Sequence, residues 1–118
     1  MRNFTQVENE AIIRLLLAGR CQDGIVSLSE GEEFARQIAL LPWASETALN
    51  FFVVTEAARI RKAMAAGREE FISAQCACLR SDAARSAAIA MLMRVLEADG
   101  MAPKESAFVA SVQKALLP

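Results

Sequence analysis

Two Asp-Gly pairs, each followed within a few residues by a glutamate, are the groups in this chain best suited to chemistry. The first copy reads Cys21-Gln22-Asp23-Gly24-Ile25-Val26-Ser27-Leu28-Ser29-Glu30, and the second Glu97-Ala98-Asp99-Gly100-Met101-Ala102-Pro103-Lys104-Glu105. Carboxylates are hard oxygen donors. Ca²⁺ wants roughly six to eight such oxygens, whereas Mg²⁺ keeps several waters and takes one or two carboxylates. Asp23, the Ser27 hydroxyl, Glu30 and loop carbonyls make one partial ligand set, and Asp99 and Glu105 complete a divalent-cation site if the two loops meet in space. Neither loop is an EF-hand, because the Asp-x-Asp-x-Asp-Gly ladder is missing. The competing explanation is structural. Acids in a helix's first turn complement its positive end by about 0.3–1 kcal/mol each, and Asp before Gly is ordinary turn chemistry.

Other chemistries find little footing. The chain has no His, so the commonest general base and the commonest transition-metal ligand are both missing. Cys76 and Cys78 would point about 200° apart on a helix and cannot share one ion. With Cys21 they make an odd set of three, which reads as small core residues and not as a disulfide framework. No nucleophile elbow, phosphate-binding Gly loop or Cys–base pair is present. The expectation is therefore a non-enzymatic protein, with a metal-assisted hydrolase as the remote alternative. A net charge of −1 argues against a broad nucleic-acid footprint. No stretch approaches the ~18 uncharged apolar residues of a membrane span, and Met1–Glu10 has the wrong charge balance for a signal peptide. A cytoplasmic location without membrane insertion is expected.

A second candidate surface is basic. Arg59, Arg61, Lys62 and Arg68 cluster around the end of the third predicted helix, and Trp43 follows Pro42 in the link before it. Cations at a helix C-terminus complement its carbonyl end, and a lone Trp in a tight link commonly plugs the core edge. The functional alternative is a docking patch for an acidic protein partner, anchored by Trp43, with no ion bound.

These groups must be positioned by helices. The composition is 54% hydrophobic, rich in Ala, Leu, Met, Glu and Arg, without Tyr and with few β-branched runs. Thr5-Gln6-Val7-Glu8 fits a capping box opening a first helix to about Cys21, with Val7, Ala11, Ile12, Leu15 and Leu16 inward. Ser27–Glu30 and Ser29–Glu32 both fit the start of a second, with a Phe34/Ile38/Leu41 stripe ended by Pro42. A third, capped by Ser45, runs from Glu46 to Ala66 with Gly67 past its end. A fourth covers Arg68 to Leu79, and a fifth runs from Ser81-Asp82 to Ala98. The fifth is apolar almost all round apart from Arg85, Ser86 and Arg94, and so belongs in the middle; there Arg94 can pair with Glu97. The sixth opens on Pro103 and buries Phe108, Val112 and Ala115 or Leu116. The reading is all-α, a single domain over residues 1–118, a bundle of six to seven helices with a pseudo-repeated helix–Asp-Gly turn–helix unit at each end.

This arrangement resembles the TerB-like (tellurite-resistance) helical family. The likeness is carried by Asp23-Gly24-x-Val26-Ser27-x-x-Glu30 and by Val95-Leu96-Glu97-Ala98-Asp99-Gly100 with Pro103-Lys104-Glu105-x-x-Phe108. The segments Ile72-x-x-Gln75-x-x-x-Leu79 and Asp82-x-x-Arg85-x-x-x-Ile89-x-x-Leu92 also carry it. It spans about Glu8 to Leu117. The second copy is one residue shorter, and Pro103 stands where the first has Ser27. The family includes tellurite-resistance proteins and a domain beside J-domains in membrane-tethered co-chaperones. The resemblance implies a bacterial, stress-linked helical module with paired acidic loops. It also implies a hard cation of the Ca²⁺ or Mg²⁺ class held by Asp23, Glu30, Asp99 and Glu105.

Overall fold

Local capping starts the helices where the sequence predicts most of them. The computed structural model describes residues 3–22 and 27–117, so the expectations placed on Asp23 and Gly24 lie outside the described residues. Five helices follow one another: α1 (Gln6–Arg20), α2 (Leu28–Ile38), α3 (Leu49–Ala77), α4 (Asp82–Leu96) and α5 (Pro103–Leu116), with no strand among the described residues. Thr5 and Glu8 form both arms of the expected capping box. Ser27 with Glu30, of the two expected alternatives, forms the next. Pro103 occupies the first turn of α5, and Gly100 takes the left-handed turn conformation (φ 93°) before it.

The helix count corrects the expected six to seven. The third and fourth predicted helices run on as one element, α3, in two helical segments joined across a kink at Gly67 (φ −174°, ψ 91°). Gly67 itself is non-helical, at the place where the third predicted helix was expected to end. Ser45 does not cap α3 either: its Oγ accepts from the Thr47 N–H at 3.0 Å, and the helix begins after Ala48 with no side-chain cap.

Packing centres on α1, which touches all four other helices. From Ala11 to Gly19 every residue except Arg14 is buried. The apolar α4 shares the middle, as its composition predicts, burying Ala84, Ala88, Met91, Leu92, Val95 and Leu96. Gly19 permits this closeness: a Cβ there would lie 2.7 Å from Leu92 Cδ1 and 3.4 Å from the Phe108 ring. Phe34, Ile38 and Leu41 are buried, as are Phe108 and Val112. Of the two alternatives at the end of α5, Leu116 packs against the core and Ala115 is exposed; Val7, expected inward, is exposed, and the rest of the α1 stripe fills the centre without it.

One buried acid binds this arrangement together. Glu8 is 3% exposed, and its carboxylate accepts from the Thr5 N–H (3.0 Å), the Arg80 and Ser81 N–H groups (3.1 and 3.0 Å) and the Ser81 hydroxyl (3.1 Å). It thus completes the α1 cap and holds the α3–α4 junction. Burial pushes the carboxyl up, but the hydrogen bonds from Thr5, Ser81 and Arg80 outweigh it and hold the pKa below the ordinary value. Asn9 Nδ2 donates to the Pro42 carbonyl at 2.9 Å, fixing the α2–α3 link to the same end of α1.

Glu8→Ala leaves four donors without their acceptor and is expected to cost about 3 kcal/mol at neutral pH. Because the folded-state pKa lies below the ordinary carboxylate value, the Glu8 contribution is complete above pH ~4.5 and lost as pH falls through the folded value. Urea denaturation of wild type and variant at pH 7 and pH 3 reads this directly. The gap must narrow in acid.

Candidate functional site

The two acidic units do meet, through their glutamates. Glu30 and Glu105 each sit three residues past a helix N-cap, so each carboxylate reaches back over the first turn. Glu30 Oε1 accepts from the Ser27 N–H at 3.3 Å, while the Glu30 N–H donates to Ser27 Oγ at 3.0 Å. Glu105 Oε1 accepts from the Ala102 N–H at 2.9 Å; Ala102 has no side-chain oxygen to return the bond, so this box is half complete. Aligned on their caps, the copies pair Ser27 with Ala102 and leave Pro103 one place inside α5.

Both carboxyls are nearly sealed, 2% exposed at Glu30 and 1% at Glu105, and they lie close enough for Glu105 to act on the protonation of Glu30. Burial pushes the Glu30 carboxyl up. The Ser27 N–H opposes this, but the adjoining Glu105 carboxyl and the Asp99 charge push further the same way, leaving a pKa of about 7. Glu105 Oε2 is buried with no hydrogen-bond partner among the described residues. The nearby cation is Arg20, at the end of α1. Its guanidinium lies 4.7 Å over the Phe34 ring. Burial lowers its pKa, and the Glu30 charge opposes that.

Of the four expected ligands, Glu30 and Glu105 come together, Asp99 acts on Glu30 through its charge from an exposed position, and Asp23 lies outside the described residues. Among the described residues no three acidic, Cys or His groups converge into a metal cage. Among the described residues, the expected centre shows a buried pair, Glu30 and Glu105, with Asp99 outlying. Arg20 was missed. The available signal was a last-turn arginine directly before an acidic loop, where helix-end electrostatics also place a cation.

The basic patch disperses. Trp43 lies 5.1 Å from Phe52, ring centre to ring centre, and its Nε1 donates to the Thr47 carbonyl at 2.8 Å, so it braces its own link. Arg68 bonds Glu69 (2.6 Å) and Ser111 (3.3 Å) and lies over Phe108, tying α3 to α5. Arg59 pairs with Glu56 at 3.4 Å, beside the tighter Arg14–Glu56 pair at 2.7 Å. Arg61 and Lys62 are exposed and make no ion pair among the described residues. On α4, Arg85 Nε donates to the Leu79 carbonyl at 2.8 Å. Arg94, expected to pair with Glu97, instead lends its charge to Glu33 of α2. Burial pushes the Cys76 thiol up to about 11, which makes it unreactive at neutral pH.

The raised Glu30 pKa has a stability consequence of definite sign. The native state holds this proton more tightly than the unfolded chain, so the stabilisation is complete below pH ~4.5 and lost as pH rises through about 7. The change is on the order of 3 kcal/mol. Glu30→Gln keeps an oxygen for the Ser27 N–H and removes the charge, so it is expected to be more stable than wild type at pH 8 and to lack this slope. Urea titrations in metal-free buffer at pH 5, 6.5 and 8 measure it; a flat wild-type profile would contradict the assignment.

Comparison with protein-family models, with curated proteins and with solved structures finds no match. The likeness to the TerB-like family rests on the motifs quoted above.

Proposed function

We propose that this chain is a non-enzymatic TerB-like module that binds a hard divalent cation on the Glu30–Glu105 pair, in the setting of a tellurite-type stress response in the cytoplasm. The observation that carries the reading is the second oxygen of Glu105, buried without a partner among the described residues and close to a second buried carboxyl. Two such groups cannot both ionise in a dry junction unless positive charge lies between them, whether a proton or a metal ion. Glu30, Glu105 and Asp99 carry three negative charges when ionised and Arg20 one positive, a deficit that one divalent ion matches. The donors are all oxygen. A pair of carboxylates with retained water suits Mg²⁺ better than Ca²⁺. The cap bonds to Ser27 and Ala102 hold one oxygen of each glutamate, so the ligand side chains are already oriented. A bound ion would supply charge neutralisation and a fixed bridge between the starts of α2 and α5. A hydrolase would need an open pocket at the ion. Neither Glu30 nor Glu105 lines the cavity of about 580 Å³ beside Arg85, Ile89 and Leu116, nor the smaller ones beside Glu70 and Glu56.

Calorimetric titration of chelator-stripped protein with Mg²⁺, Mn²⁺ and Ca²⁺ tests this. Binding is expected in wild type, lost in Glu30→Gln and Glu105→Gln, and weakened about threefold to tenfold in Asp99→Asn by loss of long-range charge. Saturating ion at about 100 times Kd should add roughly 2.7 kcal/mol of stability. Neither heat nor stabilisation with any of the three ions would reduce the pair to a proton-sharing cap.

A further inference from the structure

The first half of α3, residues 49–66, has one face in the protein and one face that nothing covers among the described residues. Inward, Ile60 is buried, Phe52 packs on Trp43 under the Arg14 guanidinium, and Glu56 is clamped by Arg14. Outward, Phe51 is 63% and Val54 73% exposed, and Ala58, Arg61, Lys62 and Ala65 are exposed with them. At about 100° per residue these six fall within an arc of about 100°, one continuous stripe along the helix.

The charge on that stripe has a single sign. Glu56 is the only acid between residues 49 and 66, and it is buried and paired. Arg61 and Lys62 have no acid three or four residues away on either side, where helix neighbours would neutralise them. An aromatic and a branched apolar side chain therefore stand in line with two uncompensated cations.

We propose that this face docks an acidic amphipathic helix of another protein, with its apolar stripe over Phe51, Val54 and Ala58 and its Asp or Glu side chains over Arg61 and Lys62. Charge complementarity selects this occupant. A second copy of the same face brings four cations and no acid to the interface. A lipid surface needs basic residues flanking the apolar stripe along its length, whereas here the cations sit at one end. Helix-on-helix docking uses spaced apolar anchors of this kind, with Phe51 as the aromatic anchor. One helix face is a small contact, so the complex is transient and weakens with salt.

The test uses a labelled synthetic helix with a Leu stripe flanked by Glu, and the same peptide with Lys in place of Glu, followed by fluorescence anisotropy at low salt. The Glu peptide is expected to bind, and the Lys peptide about tenfold or more weaker. Phe51→Ser and the double variant Arg61→Glu/Lys62→Glu should each weaken the Glu peptide about tenfold without moving the melting temperature, and the double variant should gain affinity for the Lys peptide. Glu30→Gln should bind as wild type, which separates this surface from the cation site. Equal binding of both peptides, or insensitivity to the substitutions, overturns the proposal. So does a dimer in sedimentation velocity that Phe51→Ser dissolves, or sedimentation with phosphatidylserine vesicles by a protein that ignores the Glu peptide.

Discussion

The burial of α1 on every side is the constraint from which the rest follows. A helix that touches four others cannot show polar groups to water along its middle, and between Ala11 and Gly19 only Arg14 escapes. Buried polar groups need partners from the protein, and the matches that Glu8, Asn9 Nδ2 and Arg14 find tie down the parts around α1. Glu8 takes the α3–α4 junction, Asn9 takes the α2–α3 link, and Arg14 takes Glu56 and the Gln75 side chain of α3. The connections are thus oriented by satisfying a helix that has no other way to satisfy itself. Gly19 belongs to the same logic from the apolar side, since only a missing side chain lets Leu92 come so near.

Glu30 and Glu105 show how an ordinary stabilising device can generate an unusual electrostatic environment. A glutamate three residues past a cap finishes the first turn by folding back on it. When two such turns abut inside an apolar junction, the same reach-back that completes each cap presses two carboxyls together away from water. Neither helix alone would have an unusual acid. Burial in the junction is the largest push on Glu30 and the adjoining Glu105 adds to it, while Arg20, stacked on Phe34 at the end of α1, is the nearby cation that feels the Glu30 charge.

What was legible in the sequence was local. Thr5 with Glu8 and Ser27 with Glu30 could be read as caps because both partners lie within one turn. Phe34, Ile38 and Leu41 could be read as core from their spacing. The second task of Glu8, holding Arg80 and Ser81, joins residues more than seventy apart and leaves no trace in any window of sequence. Gly67 was legible as a break, but not that the segments on either side run on across it as one kinked element, because that depends on the packing of both. Trp43 and Arg68 have the composition of a binding surface, but Phe52, Thr47, Ser111 and Phe108 use them up internally. The meeting of Glu30 with Glu105 could be anticipated only from the repetition of the unit, and that repetition said nothing of how far Asp99 would stand from the pair.

The bend in α3 divides labour along one helix. Beyond Gly67, Phe71, Ile72 and Cys76 are sunk in the core; before it, only Glu56 and Ile60 are fully enclosed. The earlier half is anchored by few residues and is tolerant of change elsewhere, so mutations on its outer side are nearly invisible to folding. Selection on stability therefore leaves that surface free to drift, and a lineage could exchange one binding preference for another there while keeping the same interior.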